Sequence, residues 1–233
     1  MIDDPRPWIE TNLYPGADPT KAIHLEVGQQ IMLRPPLTRR IVYSHRRSGK
    51  TTACALLASW YASLNPKSTT VIFSVGMECI RNIVGLLSFY LDGSVIHKGI
   101  YTANRTDLTL TNGSVIEILY PRTNATYTNL RGQDVALLII DEGELLPDKA
   151  WYELTTYMNC RSDMKVFITG TPNNTVDMFS KLCTDPSTGF EQIQYSVLQN
   201  PDPKFNQAGL NQIKAGCLPE DWKSQWLAEA TVK

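Results

Sequence analysis

The chain of 233 residues carries a formal net charge of -1 and has a pI near 6.3, a balance that excludes a uniformly basic nucleic-acid coat. Its length suits one substantial core and is short for two, so one domain is expected over residues 1–233. The five cysteines (Cys54, Cys79, Cys160, Cys183 and Cys217) are odd in number and form no Cys-x-x-Cys pair, the usage of a reduced, intracellular protein. No apolar run approaches a membrane span, and the opening Met-Ile-Asp-Asp-Pro is acidic where a signal peptide would be basic.

In chain order, Pro5, Pro7, Pro15 and Pro19 predict an extended arm with Trp8 as its anchor, because proline restricts both itself and the residue before it. The spacing of Ile23, Val27 and Ile31 predicts a helix over residues 20–33, stopped by Pro35-Pro36. Residues 1–35 thus form an N-terminal arm and helix. Ile41-Val42-Tyr43 reads as a short buried strand, followed by Ser44-His45-Arg46-Arg47-Ser48-Gly49-Lys50-Thr51-Thr52 and a helix from Thr51 to about Leu64 that is apolar or small nearly all round.

That loop reads as a phosphate-binding loop with Ser44 in the place of the usual first glycine. Backbone N–H groups at a helix start sit unpaired beside the positive end of the dipole and hold phosphate oxygens. Gly49 permits close approach, Lys50 would reach the β- and γ-phosphates, and the Thr51 hydroxyl would sit on Mg2+. Arg46 and Arg47 supply charge suited to a transferring phosphoryl group. Read alone, the loop is equally a basic turn before a helix. The surroundings sharpen the choice: no Asp or Glu lies between Val27 and Met77, whereas Asp134, Asp141, Glu142, Glu144, Asp148 and Glu153 crowd one later segment.

Val71-Ile72-Phe73 predicts a second strand, and Ile80, Ile83, Val84, Leu87 and Leu91 a second crossover helix, so the pattern is βαβα with a parallel sheet in three layers. Leu108-Thr109-Leu110, Asn112-Gly113 and Val115 to Leu119 predict a hairpin added to that sheet. Val135 to Ile140 is an unbroken apolar run that must be buried on both faces. It ends in Asp141-Glu142, a carboxylate pair at the edge where open α/β sheets bind ligands: Asp141 to hold Mg2+, Glu142 to orient and polarise water. This pair makes the ATPase reading of Lys50 the stronger one. Pro147 fits the first turn of a helix bearing Trp151, Leu154 and Met158. Val166-Phe167-Ile168 is a further strand, and Thr169-Gly170-Thr171 at its tip is placed to sense the γ-phosphate, or is simply a turn. A strand near Ile193 to Val197 and a helix around Trp222 to Ala228 close the chain.

The motif set resembles the ATPase domain of the large terminase subunit, the DNA-packaging motor of tailed bacteriophages. The likeness lies in the arginine-bearing loop without its first glycine, in Gln29 followed by Met32 and Leu33, in the strand Asn112-Gly113-Ser114-Val115-Ile116, and in Leu130-Arg131-Gly132. It extends to Thr169-Gly170-Thr171-Pro172, Asn200-Pro201 and Trp226-Leu227-Ala228-Glu229. The resemblance implies a three-layer P-loop NTPase fold of the ASCE/RecA-like kind, with ATP and Mg2+ as cofactors. It implies that Gln29, Arg47, Ser48, Gly49, Lys50, Thr51 and Thr52 bind nucleotide, that Thr51 and Asp141 hold the metal, and that Thr169, Gly170 and Thr171 couple. It casts Lys50 and Glu142 as catalytic, Arg46 as acting on the γ-phosphate in cis, and Arg131, with Arg122 as runner-up, as a finger reaching into a neighbouring subunit.

The implied partners are double-stranded DNA, a portal protein and a small terminase subunit, in a homo-oligomeric ring assembled on a procapsid from subunits monomeric in isolation. The implied setting is the host cytoplasm, with no membrane. The family normally continues into a nuclease domain; residues 200–233 would lead toward it, and nuclease activity is not expected of this chain. Two rivals stand beside this reading: a helicase-like ATPase with one RecA-like unit, and a non-enzymatic nucleotide-binding module.

Overall fold

The computed structural model describes residues 3–15, 18, 20–91, 96–101, 105–119, 130 and 133–231, with backbone alone for 96–101 and 105. Two short helices, α1 (Pro5–Asn12) and α2 (Val27–Met32), lead into strand β1 (Arg39–Ser44), α3 (Lys50–Leu64), β2 (Thr69–Ser74) and α4 (Met77–Tyr90). Strands β3 (Ile96–Tyr101), β4 (Arg105–Leu110), β5 (Val115–Leu119) and β6 (Val135–Asp141) follow, then α5 (Asp148–Asn159), β7 (Lys165–Gly170), α6 (Met178–Thr184), β8 (Glu191–Tyr195) and α7 (Gln207–Ala215). A helical turn, Pro219–Asp221, then runs into a π-helical one, Trp222–Trp226.

The strands form one sheet in the order β3-β4-β5-β2-β6-β7-β1-β8. From β5 to β8 all neighbours are parallel, and β3 and β4 extend the β5 edge antiparallel. The expected hairpin is therefore β4 and β5, of which β5 joins the parallel body through β2. Its turn has Gly113 at φ +82°, and the Asn112 amide donates to the Ala62 and Ser63 carbonyls at 2.8 and 3.1 Å, which pins the turn to the end of α3. Strand β3 had no sequence signal: Gly99 interrupts it and His97 and Lys98 dilute its apolar pattern.

Alternate residues of β6 serve two cores, as burial on both faces requires. Leu137 and Ile139 join Leu57, Ile72, Ile116 and Phe167 beneath α1 to α4; Leu138 and Ile140 join Phe73, Trp151, Leu154 and Phe179 beneath α5 and α6. The layers are thus helix, sheet, helix, and α3, with Ala53 to Ala62 buried throughout, is the central helix of the first.

Two expectations fail at the N-terminus. The proline-rich segment is not wholly extended: Asp4 caps α1 by accepting from the Arg6 N–H, and Pro5 takes the first helical turn, where its missing N–H costs nothing. Ile9, fully buried, is the deeper anchor, with Trp8 only partly covered. The helix expected over 20–33 is confined to Val27–Met32. Ile23 and Leu25 are buried while Lys21, His24 and Val27 are exposed, so alternation, not helical spacing, governs that stretch; the Leu25 N–H donates to Glu10 Oε1 at 3.0 Å. At the other end the expected helix over 222–228 is the π-helical turn, closed before Ala228 at φ +57°.

Candidate active site

Strand order places β7 between the loop strand β1 and the carboxylate strand β6, and parallel strands bring all three C-terminal ends to one edge. There a cleft of about 510 Å³ is lined by Arg46, Arg47, Ser48, Gly49, Lys50, Thr51 and Thr52 on one side and by Glu142, Glu144, Leu145 and Thr171 to Asn173 on the other, with Gln225 from the π-helical turn.

The loop is shaped by its backbone. Arg47 at φ +61° and Gly49 at φ +82° adopt left-handed conformations, and Gly49 caps α3. A Cβ on Gly49 would also lie 3.0 Å from Gln29 Nε2. Ser44 does more than replace a glycine: it is buried and its hydroxyl shares a 2.7 Å hydrogen bond with that of Ser48, closing the loop across its base. Lys50 Nζ donates to the His45 carbonyl at 3.0 Å and reaches the Ser44 carbonyl at 3.4 Å. Burial lowers its pKa, while Glu144, Asp141 and Glu142 hold it up.

Asp141, 1 % exposed, accepts from Thr51 Oγ1 at 2.9 Å and from Thr169 Oγ1 at 2.8 Å, with the Cys54 thiol 3.9 Å away. Burial raises its pKa and the two hydroxyls pull it back. One carboxylate thus ties α3, β6 and β7 together. Paired hard oxygens from Thr51 and Asp141 beside a phosphate cradle suit Mg2+, which takes few protein ligands and leaves the rest to water and phosphate. Among the described residues no cluster of three or more His, Cys, Asp or Glu could hold a metal by itself.

Glu142, next in the chain, turns out of the strand at φ +57°, a conformation that a non-glycine residue adopts at a cost of about 1–3 kcal/mol and that clusters at functional sites. The Cys79 thiol at the start of α4 donates to its Oε2 at 3.1 Å. Gly143 follows, and the Trp151 indole N–H donates to its carbonyl at 3.1 Å, seating the turn on α5.

The structure thus gathers Arg46, Arg47, Ser48, Gly49, Lys50, Thr51, Thr52, Glu142 and Thr171 around one cleft, with Asp141 and Thr169 directly beneath it. Gly170 backs it from β7. Gln29 is not among the lining residues. It is buried behind the loop, where its Oε1 accepts from the Glu26 N–H at 3.0 Å in the capping box of α2. Arg131 and Arg122 lie outside the described residues. The basic run before the loop is structural: Arg40, fully buried, bonds Glu191 and the Met32, Arg34 and Pro36 carbonyls, and Arg39 bonds the Met158 and Arg161 carbonyls.

Three residues escaped sequence reasoning. Glu144 lines the cleft, and burial lifts its pKa to about 7; its signal was only a second glutamate after Glu142. His45 is fully buried among Tyr195, Phe205 and Trp226. Its Nδ1–H donates to the Arg46 carbonyl at 2.7 Å, its Nε2 accepts from the Asn200 amide at 3.2 Å, and burial lowers its pKa to about 4. Gln225 accepts the Arg46 N–H at 3.0 Å through its carbonyl. The loop is therefore gripped by the segment after Asn200, which nothing in the local pattern of Asn200-Pro201 or Trp226 disclosed.

Comparison with known proteins agrees with this geometry. The family model of the AAA domain matches residues 41–179, more than half of the chain. No curated protein sequence matches it. Among solved structures, the large terminase ATPase domain of Thermus phage P74-26 superposes with a TM-score of 0.67 at 16 % identity, over 93 % of this chain and 99 % of that one. The large terminase of another thermophilic bacteriophage also gives 0.67, at 12 % identity, over 90 % of this chain and 54 % of that one; it has been solved with ADP and with ATP-γ-S. The UvsW helicase of bacteriophage T4 gives 0.51 at 15 % identity, over 82 % and 66 %. The fold is that of the phage large terminase ATPase domains, and by its match from β1 into α6 the chain belongs to the AAA domain family.

Proposed function

We propose that the chain is the ATPase of a viral DNA-packaging motor, hydrolysing ATP with Mg2+ to move double-stranded DNA into a procapsid. The observation that carries this reading is the convergence of Lys50, Thr51, Asp141 and Glu142 on one cleft, with Thr169 bonded to Asp141 from the intervening strand. In it, Lys50 and the loop N–H groups hold the β- and γ-phosphates, Thr51 and Asp141 hold Mg2+, and Glu142 orients the attacking water. The metal, when bound, offsets charge on the phosphate oxygens. Arg46, at the rim of the cleft, acts on the γ-phosphate in cis, and Arg131 is proposed as the finger entering a neighbour's site. Thr169 to Thr171 pass the loss of the γ-phosphate from Asp141 to the sheet.

Ring assembly at a portal with a small terminase subunit, and residence in the host cytoplasm, belong to the same proposal. Among the described residues no helix is long and apolar enough to cross a membrane. The likeness to a helicase fold keeps a second reading, a nucleic-acid-stimulated ATPase of helicase type.

Steady-state ATP turnover tests the assignment. Lys50→Ala should abolish turnover, and Glu142→Gln should bind ATP without hydrolysing it; unchanged turnover in Lys50→Ala would sink the ATPase reading. Stimulation by double-stranded DNA, falling steeply with salt because phosphate contacts release counterions, favours the motor. Stimulation by single strands alone favours the helicase reading.

A further inference from the structure

Glu144 stands in a place that neither the water nor the metal requires. It follows the Asp141-Glu142 pair by two positions on the turn Gly143–Leu145, yet it faces across to β7. A Cβ on Gly170 would lie 2.4 Å from its Oε2, so the glycine is what lets the carboxyl rest on the backbone of that strand's end. The Thr171 N–H bonds the carboxylate. Its Oε2, out of contact with solvent, has no hydrogen-bond partner and is walled by Gly170 and the Phe179 ring. On the cleft side, Glu144 leads the carboxylates that offset the charge of buried Lys50, ahead of Asp141 and Glu142. One side chain therefore touches the coupling segment and balances the lysine proposed to receive the phosphates.

We propose that Glu144 is a positioning residue that links phosphate binding to the Thr169–Thr171 segment: Lys50 is shared between Glu144 and the nucleotide, and its transfer to the phosphates changes the hold of Glu144 on Thr171. This rests on the nucleotide-binding reading of the cleft. Lys50 is held by loop oxygens at Ser44 and His45, and polyphosphate draws it to the phosphate oxygens. Glu144 then loses its main counter-charge and gains a negative neighbour, while its Oε2 has no donor to satisfy it. The outcome physical chemistry favours is a proton on that oxygen.

The charged and titratable groups that face Glu144 agree with this. They are Lys50 from α3, Glu142 from the end of β6, and the Cys183 thiol from α6, which burial and Glu144 keep protonated. With its pKa already lifted to about 7, Glu144 is roughly half protonated at neutral pH. Each unit of further rise takes up about 0.4 proton.

The test is calorimetric titration of the wild type, Glu144→Gln and Glu144→Ala with Mg2+–ATP-γ-S and Mg2+–ADP near pH 7, in two buffers of different ionisation enthalpy. The wild type should take up protons on binding ATP-γ-S. Glu144→Gln, a neutral isostere that still accepts from Thr171, should bind within about threefold of the wild type and lose that uptake. Glu144→Ala should bind but, where turnover is measured, lower kcat about tenfold or more with KM little changed, because Thr171 is released. Equal proton uptake in the wild type and Glu144→Gln, or equal kcat in all three, would overturn the inference while leaving the cleft a nucleotide site. No binding of either nucleotide to the wild type would remove the reading beneath it.

Discussion

Replacing Thr169 by valine probes the joint between the three strands that build the site. The substitution is nearly isosteric and keeps a β-branched residue in a buried strand, so it opens no cavity and leaves β7 its propensity. What it removes is the 2.8 Å bond from Thr169 Oγ1 to Asp141 Oδ1. The Thr51 hydroxyl remains on the other carboxylate oxygen at 2.9 Å. The nearest replacement donor for Oδ1 is the Cys54 thiol at 3.9 Å, a long and weak contact.

A hydrogen bond to a charged group contributes about 1.5–3 kcal/mol, and an orphaned buried oxygen costs about as much. The expected loss is therefore about 2 kcal/mol, or roughly a 0.7–1 M lower urea midpoint for an m-value of about 2–3 kcal/mol/M. The sign with pH follows from Asp141. Burial raises its pKa above 3.8 in the folded state, so ionising it opposes folding as pH climbs from 3.8 through that raised value, and the Thr169 hydroxyl lessens the penalty. The deficit of Thr169→Val should thus be complete above the folded pKa and shrink as pH falls toward 3.8. Equilibrium urea unfolding at about pH 7.5 and at about pH 4 measures both. A midpoint shift below about 0.2 M at the higher pH, or one of equal size at both, would refute the argument.

Two further outcomes follow from buried groups away from the phosphates. His45 is fully buried, with a folded pKa of about 4 against an ordinary 6.5. Its contribution to stability is present above pH 6.5 and is lost as pH falls toward 4, about 3 kcal/mol in all. Glu144, whose pKa is raised, acts in the opposite sense over part of that window, so the readout is the difference between the wild type and His45→Asn in chemical unfolding from pH 7 to 4.5; parallel curves would exclude the effect. Arg40→Met should cost about 3–5 kcal/mol by leaving the Met32, Arg34 and Pro36 carbonyls without their donor. That is a melting temperature lower by roughly 6–20 °C in a scanning measurement; a drop below about 2 °C would mean that water replaces the guanidinium.

What could be read before any coordinates were in hand is whatever neighbouring residues spell out among themselves. Strand, loop and helix from Ile41 to Leu64 were legible because hydrophobic period, Gly49 and the Lys-Thr pair all act within a few residues. The hairpin was legible because Asn112-Gly113 admits few turns, and the doubly buried β6 because an unbroken apolar run ending in Asp141-Glu142 has few other places to go. The three-layer class followed from those pieces. Contacts between residues distant in the chain had to wait for the fold. That β7 lies between β1 and β6, so that Thr169 meets Asp141, is a matter of strand order, which periodicity does not encode. Gln29 passes behind the loop because α2 caps itself and packs under Gly49. Arg39 and Arg40, which read as basic surface, are donors to backbone carbonyls brought near by folding. Glu144 and His45 carry perturbed pKa values only because burial surrounds them with partners from other elements, and desolvation is a property of packing, with no trace in a residue's neighbours along the chain.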